Sequence, residues 1–305
     1  MHMQQSFRRP RIDEADVHAS TAPRAVTIET IMPSDMAVRA EQAGVKRAAM
    51  DSLTVLMLGM MAGAFIAFGA IFATTVSAGA SALPYGVGKL LAGLVFSTGL
   101  IMVVVAGAEL FTGNNLIIMA WASGKVTTGG LLKNWLVVFI GNAIGALATA
   151  VLMFYTTQYT FGSGAVGSAA LAAANSKAAL DFIPALTLGI MCNALVCLAS
   201  WMCYSARTSV DRVVTIIPPI AAFVAAGFEH SIANIYYIPM GLLIKAGAGD
   251  AFWNSIGKTA ADFPDLTWTN FFGNLVPVTA GNIVGGSLMV GAVYWFVYLR
   301  GQRGS

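Results

Sequence analysis

The chain has 305 residues, of which 57% are hydrophobic and only 10% are charged, and its formal net charge is +3. Soluble globular domains carry about a quarter charged residues. The composition argues against a soluble enzyme, a nucleic-acid-binding protein and a disordered protein, and it indicates a protein embedded in a membrane.

Long segments without Asp, Glu, Lys or Arg predict the spanning helices. A helix needs about 20 mostly apolar residues to cross the bilayer core. Such segments lie near 52–76, 90–108, 134–157, 182–204, 212–228 and 273–298. Two shorter apolar stretches, 113–122 and 231–244, follow the second and the fifth. Pairing each stretch with its predecessor, as a helix broken inside the membrane, predicts an all-α protein with six spanning units.

The basic residues predict the orientation of these spans. Six crossings place both termini on one side, and most of the 17 Lys and Arg residues would lie there. The other side would hold Lys89, Lys177, Lys245 and Lys258. Because cytoplasmic loops are enriched in Lys and Arg, both termini are predicted to be cytoplasmic. We expect a flexible cytoplasmic tail at 1–32, an interfacial helix at 33–50, a channel domain over 33–300 and a short tail at 301–305.

The two halves of the chain resemble each other weakly. Three motifs recur in the same order: Leu-x-Leu-Gly at 56–59 and 186–189, Glu109 with Asn114 and Glu229 with Asn234, and Gly141-Asn142 and Gly281-Asn282. Each half, 51–157 and 180–299, holds three predicted spans, so the second half must insert upside down. Inverted repeats of this kind place a substrate pathway at the interface between the repeats.

Ionisable residues at membrane depth are functional candidates, because burying them there is costly. Glu109 and Glu229 lie at the two predicted breaks. We expect each carboxylate to accept hydrogen bonds from the freed backbone N–H groups of its own break, and so to hold the loop as a scaffold. His230 follows Glu229 directly and is the only histidine outside the N-terminal tail. A histidine can change charge near neutral pH, which favours a role for His230 in the pathway.

The remaining polar candidates carry weaker signals. Lys177 stands alone in a segment of small residues, Ala172 to Ala179, and the residues themselves indicate a solvated loop lysine. Cys192, Cys197 and Cys203 are spaced for neither a metal pair nor a disulfide framework, so buried apolar filler is the expected role. No metal and no cofactor is predicted.

These segments resemble the formate–nitrite transporter family over residues 33–300, and they are most similar to its formate channel branch. The motifs that carry the resemblance are Gly107-Ala108-Glu109-Leu110-Phe111-Thr112, Lys133-Asn134-Trp135, Asn193-Ala194-Leu195-Val196-Cys197, Gly227-Phe228-Glu229-His230-Ser231, and Pro277-Val278-Thr279 with Gly281-Asn282. The resemblance implies a multi-pass protein of the bacterial inner membrane with an aquaporin-like protomer, assembled as a homopentamer with one pore in each protomer.

The resemblance also implies functional residues. The central histidine would be His230, its partner threonine Thr112, the vestibule lysine Lys177 and the fourth-helix asparagine Asn193. Apolar constrictions would be formed by Phe96, Phe223, Leu100, Leu110 and Phe111, and Glu109, Glu229, Asn114 and Asn234 would hold the loops. The partners would be formate or a similar small anion, protons and membrane lipid, with no nucleic acid.

The mechanism expected from these roles moves formate without a chemical reaction. Lys177 concentrates the anion, and desolvation at the apolar ring raises its proton affinity. His230 and Thr112 then hydrogen-bond it and share a proton, so that passage depends on pH. A nitrite or hydrosulfide channel of the same family remains an alternative. From another class, an intramembrane hydrolase would pair His230 with Ser97 or Ser123.

Overall fold

The computed structural model describes residues 30–301, and the compact body begins at Ile31. The predicted tails at 1–32 and 301–305 therefore lie outside the described residues, apart from positions 30–32 and 301.

All regular elements in the described part of the chain are helical. The α-helices are α1 (Pro33–Ala49), α2 (Ser52–Ser77), α3 (Tyr85–Ala106), α4 (Phe111–Asn114), α5 (Ile118–Ala122), α6 (Thr128–Tyr155), α7 (Ala165–Ala178), α8 (Phe182–Met202), α9 (Ser209–Ala225), α10 (Ser231–Gly247), α11 (Asp250–Ile256), α12 (Trp268–Ile283) and α13 (Val293–Tyr298). A 3₁₀ turn, Asn115–Ile117, joins α4 to α5. A π-helical segment, Val284–Ala292, joins α12 to α13 without interruption.

Five helical segments of residues 30–301 are long and apolar enough to cross a membrane. They are Ser52–Ser77, Tyr85–Ala106, Thr128–Tyr155, Phe182–Ser205 and Trp268–Tyr298. Another apolar segment predicted to span, near 212–228, forms α9 with 17 residues and contains Pro218 and Pro219. The helix α10 that follows has 17 residues as well.

Two spans begin earlier than their charge-free segments suggested. The helix α3 begins at Tyr85 rather than near residue 90, and α6 begins at Thr128 rather than near residue 134. For α6 the reason lies in its N-terminal cap. The Thr127 side chain accepts a hydrogen bond from the Gly130 N–H, which starts α6 ahead of Lys133. A lysine near a helix end can extend to the membrane surface, so a charge does not mark the helix boundary.

Close contact between helices depends on small residues in both halves. A Cβ atom added to Gly145 in α6 would overlap the carbonyl oxygen of Met60 in α2. A Cβ atom added to Gly285 in the π-helical segment would overlap the carbonyl oxygen of Ile190 in α8. Such contacts hold helices together in lipid, where the hydrophobic effect between them is absent.

The prediction of a loop from Ala172 to Ala179 is wrong. Residues Ala165–Ala178 form α7, which begins after Gly164 in a left-handed conformation (φ 86°). Alanine has the highest helix propensity, and this segment is rich in it. Lys177 therefore lies in the last turn of a helix.

Candidate functional site

Two glycines end the helices that lead to the candidate site. Gly107 follows α3 with φ 81°, and Gly227 follows α9 with φ 75°. Glycine adopts this left-handed conformation without the steric cost that a Cβ atom brings. The chain is non-helical over 107–110, the first connecting segment, and over 227–230, the second connecting segment. Helical structure resumes at Phe111 and Ser231.

A buried asparagine satisfies the backbone of the first connecting segment. The Asn142 Oδ1 atom accepts the Phe111 N–H at 2.8 Å. Its Nδ2 atom donates to the carbonyl oxygen of Gly59 at 2.7 Å and to that of Glu109 at 2.9 Å. One side chain therefore satisfies two backbone groups that a continuous helix would have paired, and it ties the segment to Gly59 of α2.

Asn282 does the same for the second connecting segment. Its Oδ1 atom accepts the Ser231 N–H at 2.9 Å. Its Nδ2 atom donates to the carbonyl oxygens of Gly189, at 2.8 Å, and Glu229, at 3.0 Å. The motifs that recur in the sequence thus occupy equivalent places in one hydrogen-bonding frame.

Glu109 is held by side chains. Its carboxylate accepts the Asn114 Nδ2–H at 2.7 Å and lies 3.3 Å from the Nε atom of Arg47, at the end of α1. Asn114 also donates to Asn134 Oδ1 at 2.9 Å, and Asn134 donates to the carbonyl oxygen of Arg47 at 3.1 Å. These four residues form a closed ring of polar contacts.

Glu229 has a matching environment. Its carboxylate accepts the Asn234 Nδ2–H at 2.6 Å and the Lys177 Nζ–H at 2.8 Å. Asn234 donates to Asn274 Oδ1 at 2.8 Å, and Asn274 donates to the carbonyl oxygen of Lys177 at 2.8 Å. Lys177 also lies over the ring of Tyr237, 5.3 Å from its centroid. Lys177 is therefore a partly buried member of an ion pair.

The hydrogen-bond partners predicted for the two carboxylates are wrong. Glu109 and Glu229 were expected to accept backbone N–H groups of their own breaks. Asn142 and Asn282 accept the N–H groups at positions 111 and 231 instead. An asparagine amide can accept and donate at once, so it satisfies both N–H and C=O groups, whereas an ionised carboxylate can only accept.

His230 and Thr112 meet between the two connecting segments. The His230 Nε2 atom lies 3.1 Å from Thr112 Oγ1, and both residues are buried. The Nδ1 atom accepts the Ala233 N–H at 3.1 Å and so caps α10. An accepting Nδ1 carries no proton, so in this arrangement Nε2 carries it and donates to Thr112. The ring of Phe223 stacks on His230 with centroids 6.2 Å apart.

Asn193 is buried and contacts protein groups. Its Nδ2 atom lies 2.6 Å from the carbonyl oxygen of Asn282, 2.8 Å from Asn115 Oδ1 and 3.3 Å from the carbonyl oxygen of Thr112. These contacts link α8 to the segment that carries Thr112.

A cavity of about 640 Å³ lies on one side of the central pair, and we call it the Lys177 cavity. Phe96, Phe223 and His230 line it together with the Lys177–Glu229 ion pair. The rings of Phe96 and Phe223 are 5.6 Å apart and nearly perpendicular. Its charged lining residues among those described are Lys89, Lys177 and Glu229.

A smaller cavity of about 230 Å³, the Arg47 cavity, lies beside the first connecting segment. Leu100 and Leu110 supply apolar surface there. Its charged lining residues in the described chain are Arg47, Glu109 and Arg212. The two cavities have no lining residue in common within residues 30–301.

Phe111 and Thr112 line neither cavity. The Phe111 ring packs edge-on against Phe139 and Trp135, at centroid distances of 5.1 and 6.4 Å. The structure therefore places Leu100 and Leu110 in the wall of the Arg47 cavity and directs Phe111 toward α6.

The sequence analysis did not identify Arg47 as a site residue. It also did not predict the hydrogen bonds made by four asparagines: Asn134, Asn142, Asn274 and Asn282. Arg47 was counted only as one of many basic residues near the N-terminus. The repeat carried a usable signal, because Arg47 precedes Gly59 by the same interval that separates Lys177 from Gly189. No group of three or more His, Cys, Asp or Glu residues in the described chain is placed to hold a metal ion.

Comparisons with known proteins identify the family of this chain. The model of the formate/nitrite transporter family matches residues 34–296. Formate channel FocA of Escherichia coli K12 is 45% identical over 273 residues, which cover 89% of this chain and 96% of that protein. Formate channel FocA of Haemophilus influenzae is 42% identical over 236 residues, covering 77% and 83%.

A solved structure described as a pentameric formate channel with formate bound is also similar. It is 46% identical, with a TM-score of 0.78, and the match covers 82% of this chain and 98% of that one. A solved ion channel of the same family is 26% identical, with a TM-score of 0.71. The chain therefore belongs to the formate/nitrite transporter family.

Proposed function

We propose that this protein is a channel that conducts formate and related small monovalent anions across a membrane. The observation that carries this proposal is the Thr112–His230 contact of 3.1 Å, which lies between two separate cavities. The relatives named above, which are formate channels, support formate as the substrate. Because the family consists of channels and transporters, the hydrolase alternative is rejected. Ser97 already donates to Gly93, and Ser123 accepts from Trp295.

The proposed architecture has six spanning units in two inverted halves, 51–157 and 180–299. In each half one unit is divided, α3 from α4 and α5, and α9 from α10. The matched bonds of Asn142 and Asn282 support this division, as do the matched ion pairs of Glu109 and Glu229. A non-helical backbone at membrane depth is tolerated where protein groups satisfy it, as these side chains do.

We place the protein in the bacterial inner membrane with both termini in the cytoplasm. The location of basic residues supports this orientation, in which α1 lies along the cytoplasmic interface and the Lys177 cavity opens outward. We further propose a homopentamer with one pore in each protomer, because a similar solved channel is described as pentameric. Protons and lipid would be its other partners.

The charges of the two cavities suit a small anion. In each cavity one acidic side chain is paired with one basic side chain, and a second basic residue, Lys89 or Arg212, also contributes to the lining. An anion that enters therefore meets an excess of positive charge in surroundings where Coulomb forces are weakly screened. Lys177 both neutralises Glu229 and contributes to this attraction.

At the centre, formate would replace Thr112 as the acceptor of the His230 Nε2–H, while the Thr112 hydroxyl donates to the anion. Transfer of a proton from Nε2 to formate requires that Nδ1 take up a proton from the aqueous phase through the Lys177 cavity, so that the imidazole stays neutral. The Ala233 N–H bond to Nδ1 must then open, at a cost of about 0.5 to 2 kcal/mol for a lost helix cap. The charged residues that line the Lys177 cavity together with His230 are Lys89, Lys177 and Glu229.

Two substitutions of His230 separate hydrogen bonding from proton sharing. His230→Ala removes the cap and the donor, and we expect formate flux into proteoliposomes to collapse. His230→Asn keeps an amide that can cap α10 but cannot titrate, so formate flux should survive and lose its dependence on pH. Flux in His230→Asn with the wild-type pH profile would contradict proton sharing.

Selectivity among anions of the family is tested by competition. Formate uptake is measured with nitrite or hydrosulfide added on the same side, at equal anion concentration and fixed pH. We expect formate to be taken up in preference to both. A preference for nitrite or hydrosulfide would replace formate as the proposed substrate and leave the proposed path unchanged.

A further inference from the structure

Polar side chains donate hydrogen bonds to backbone carbonyl oxygens within residues 112–115. The Cys197 Sγ atom lies 3.2 Å from the carbonyl oxygen of Thr112, within the range for a thiol donor. Asn193 reaches the same carbonyl at 3.3 Å. Cys197 is fully buried. The sequence predicted it to be apolar filler, yet its thiol is directed at the residue that pairs with His230.

Gly286 makes room for these contacts. It lies in the π-helical segment Val284–Ala292, where hydrogen bonds run to the fifth residue along the chain and the helix is wider. A Cβ atom at Gly286 would overlap Asn193 Nδ2 and lie 2.8 Å from Cys197 Sγ. A side chain there would therefore push both donors away from the Thr112 carbonyl.

This arrangement occurs in only one of the two repeated halves, as a comparison of equivalent residues shows. The positions equivalent to Thr112, Asn193, Cys197 and Gly286 in the other half are Ile232, Gly63, Ala67 and Ala146. The asparagine frame occurs twice, whereas the polar contacts around residues 112–115 have no counterpart among these equivalent residues. A contact needed only for folding the repeat would be expected in both halves. The polar contacts belong instead to the half that supplies Thr112.

We propose that Cys197 is a positioning residue for Thr112. Its thiol fixes the Thr112 carbonyl and thereby keeps the Thr112 hydroxyl directed at His230 Nε2. The inference rests on the proposed role of the Thr112–His230 pair in conducting formate. It assigns a function to a buried thiol that touches neither cavity.

Substitutions of Cys197 test this role. Cys197→Ala removes the donor and introduces the residue found at the equivalent position of the other half, so the fold should accept it. We expect formate flux to fall about twofold to tenfold, the effect of losing one hydrogen bond. Cys197→Ser keeps a donor and should retain most of the flux. Cys192→Ala, which deletes a buried thiol on the same helix, is the matched control and should leave flux unchanged.

A double substitution tests whether Cys197 acts through Thr112. Thr112→Val removes the hydroxyl, so adding Cys197→Ala should lower formate flux no further. A second readout does not depend on transport. In protein with His2→Gln and His18→Gln, the single remaining histidine gives one imidazole Nε2 signal in ¹⁵N NMR. Cys197→Ala should shift this signal toward its position in Thr112→Val, and Cys192→Ala should not.

Two results would overturn the inference. One is a Cys197→Ala protein whose flux and His230 signal both match the wild type. The other is a double variant whose flux loss is the product of the two single losses. If the wild-type protein carries no formate at all, the proposed function fails, and the His230 signal still decides whether Cys197 positions Thr112.

Discussion

Replacing Asn142 with Ala tests the frame that holds the first connecting segment. The substitution removes three buried hydrogen bonds, to Phe111, Gly59 and Glu109, of 2.7 to 2.9 Å. Polar contacts between helices in membrane proteins contribute about 0.6 to 1.7 kcal/mol each, so the loss should be roughly 2 to 5 kcal/mol. The same loss is expected for Asn282→Ala, which removes the equivalent three bonds.

The measurement is the thermal unfolding midpoint of the purified protein in detergent, together with formate flux in proteoliposomes. Thr149→Ala is the matched control, because its buried hydroxyl bonds only to the Gly145 carbonyl in its own helix. It should change stability far less than Asn142→Ala, because this bond within one helix connects no two segments of the fold. If Asn142→Ala unfolds no earlier than Thr149→Ala and conducts formate normally, the proposed frame is refuted.

Two further predictions concern backbone strain and thiol exposure. Gly107→Ala should destabilise the protein by about 1 to 2 kcal/mol, because an L side chain at φ 81° is strained although no atom lies within 4 Å. Gly129→Ala, also uncrowded but helical, should be neutral or stabilising by up to about 1 kcal/mol, measured by the same unfolding assay. A membrane-permeant maleimide should label partly exposed Cys203 and spare buried Cys192 and Cys197, as read by mass spectrometry of native protein. Labelling of the buried pair at the rate of Cys203 would contradict their placement.

Features carried by local sequence were predictable. Apolar length marked five of the six predicted spans, and glycines at positions 107 and 227 accompany the ends of α3 and α9. The recurring Glu and Asn motifs indicated two equivalent segments, and the structure places both in matching frames.

Features that depend on distant contacts were not predictable. Thr112 and His230 are 118 positions apart, and their pairing came only from resemblance to a family. The ion pair between Arg47 and Glu109 joins α1 to the first connecting segment. No local pattern distinguishes Arg47 from neighbouring basic residues, and only its spacing within the repeat, which matches that of Lys177, marks it. Lys177 was placed in a loop because the residues around it are small, although alanine-rich segments also favour helices.

The central claim is that this chain itself conducts formate. Its most direct test is the equilibration of isotopically labelled formate in proteoliposomes that contain only the purified protein, compared with protein-free liposomes of the same lipid at the same pH. We predict faster equilibration with the protein, proportional to the amount reconstituted and strongly reduced by His230→Ala. Equilibration at the protein-free rate would contradict the claim.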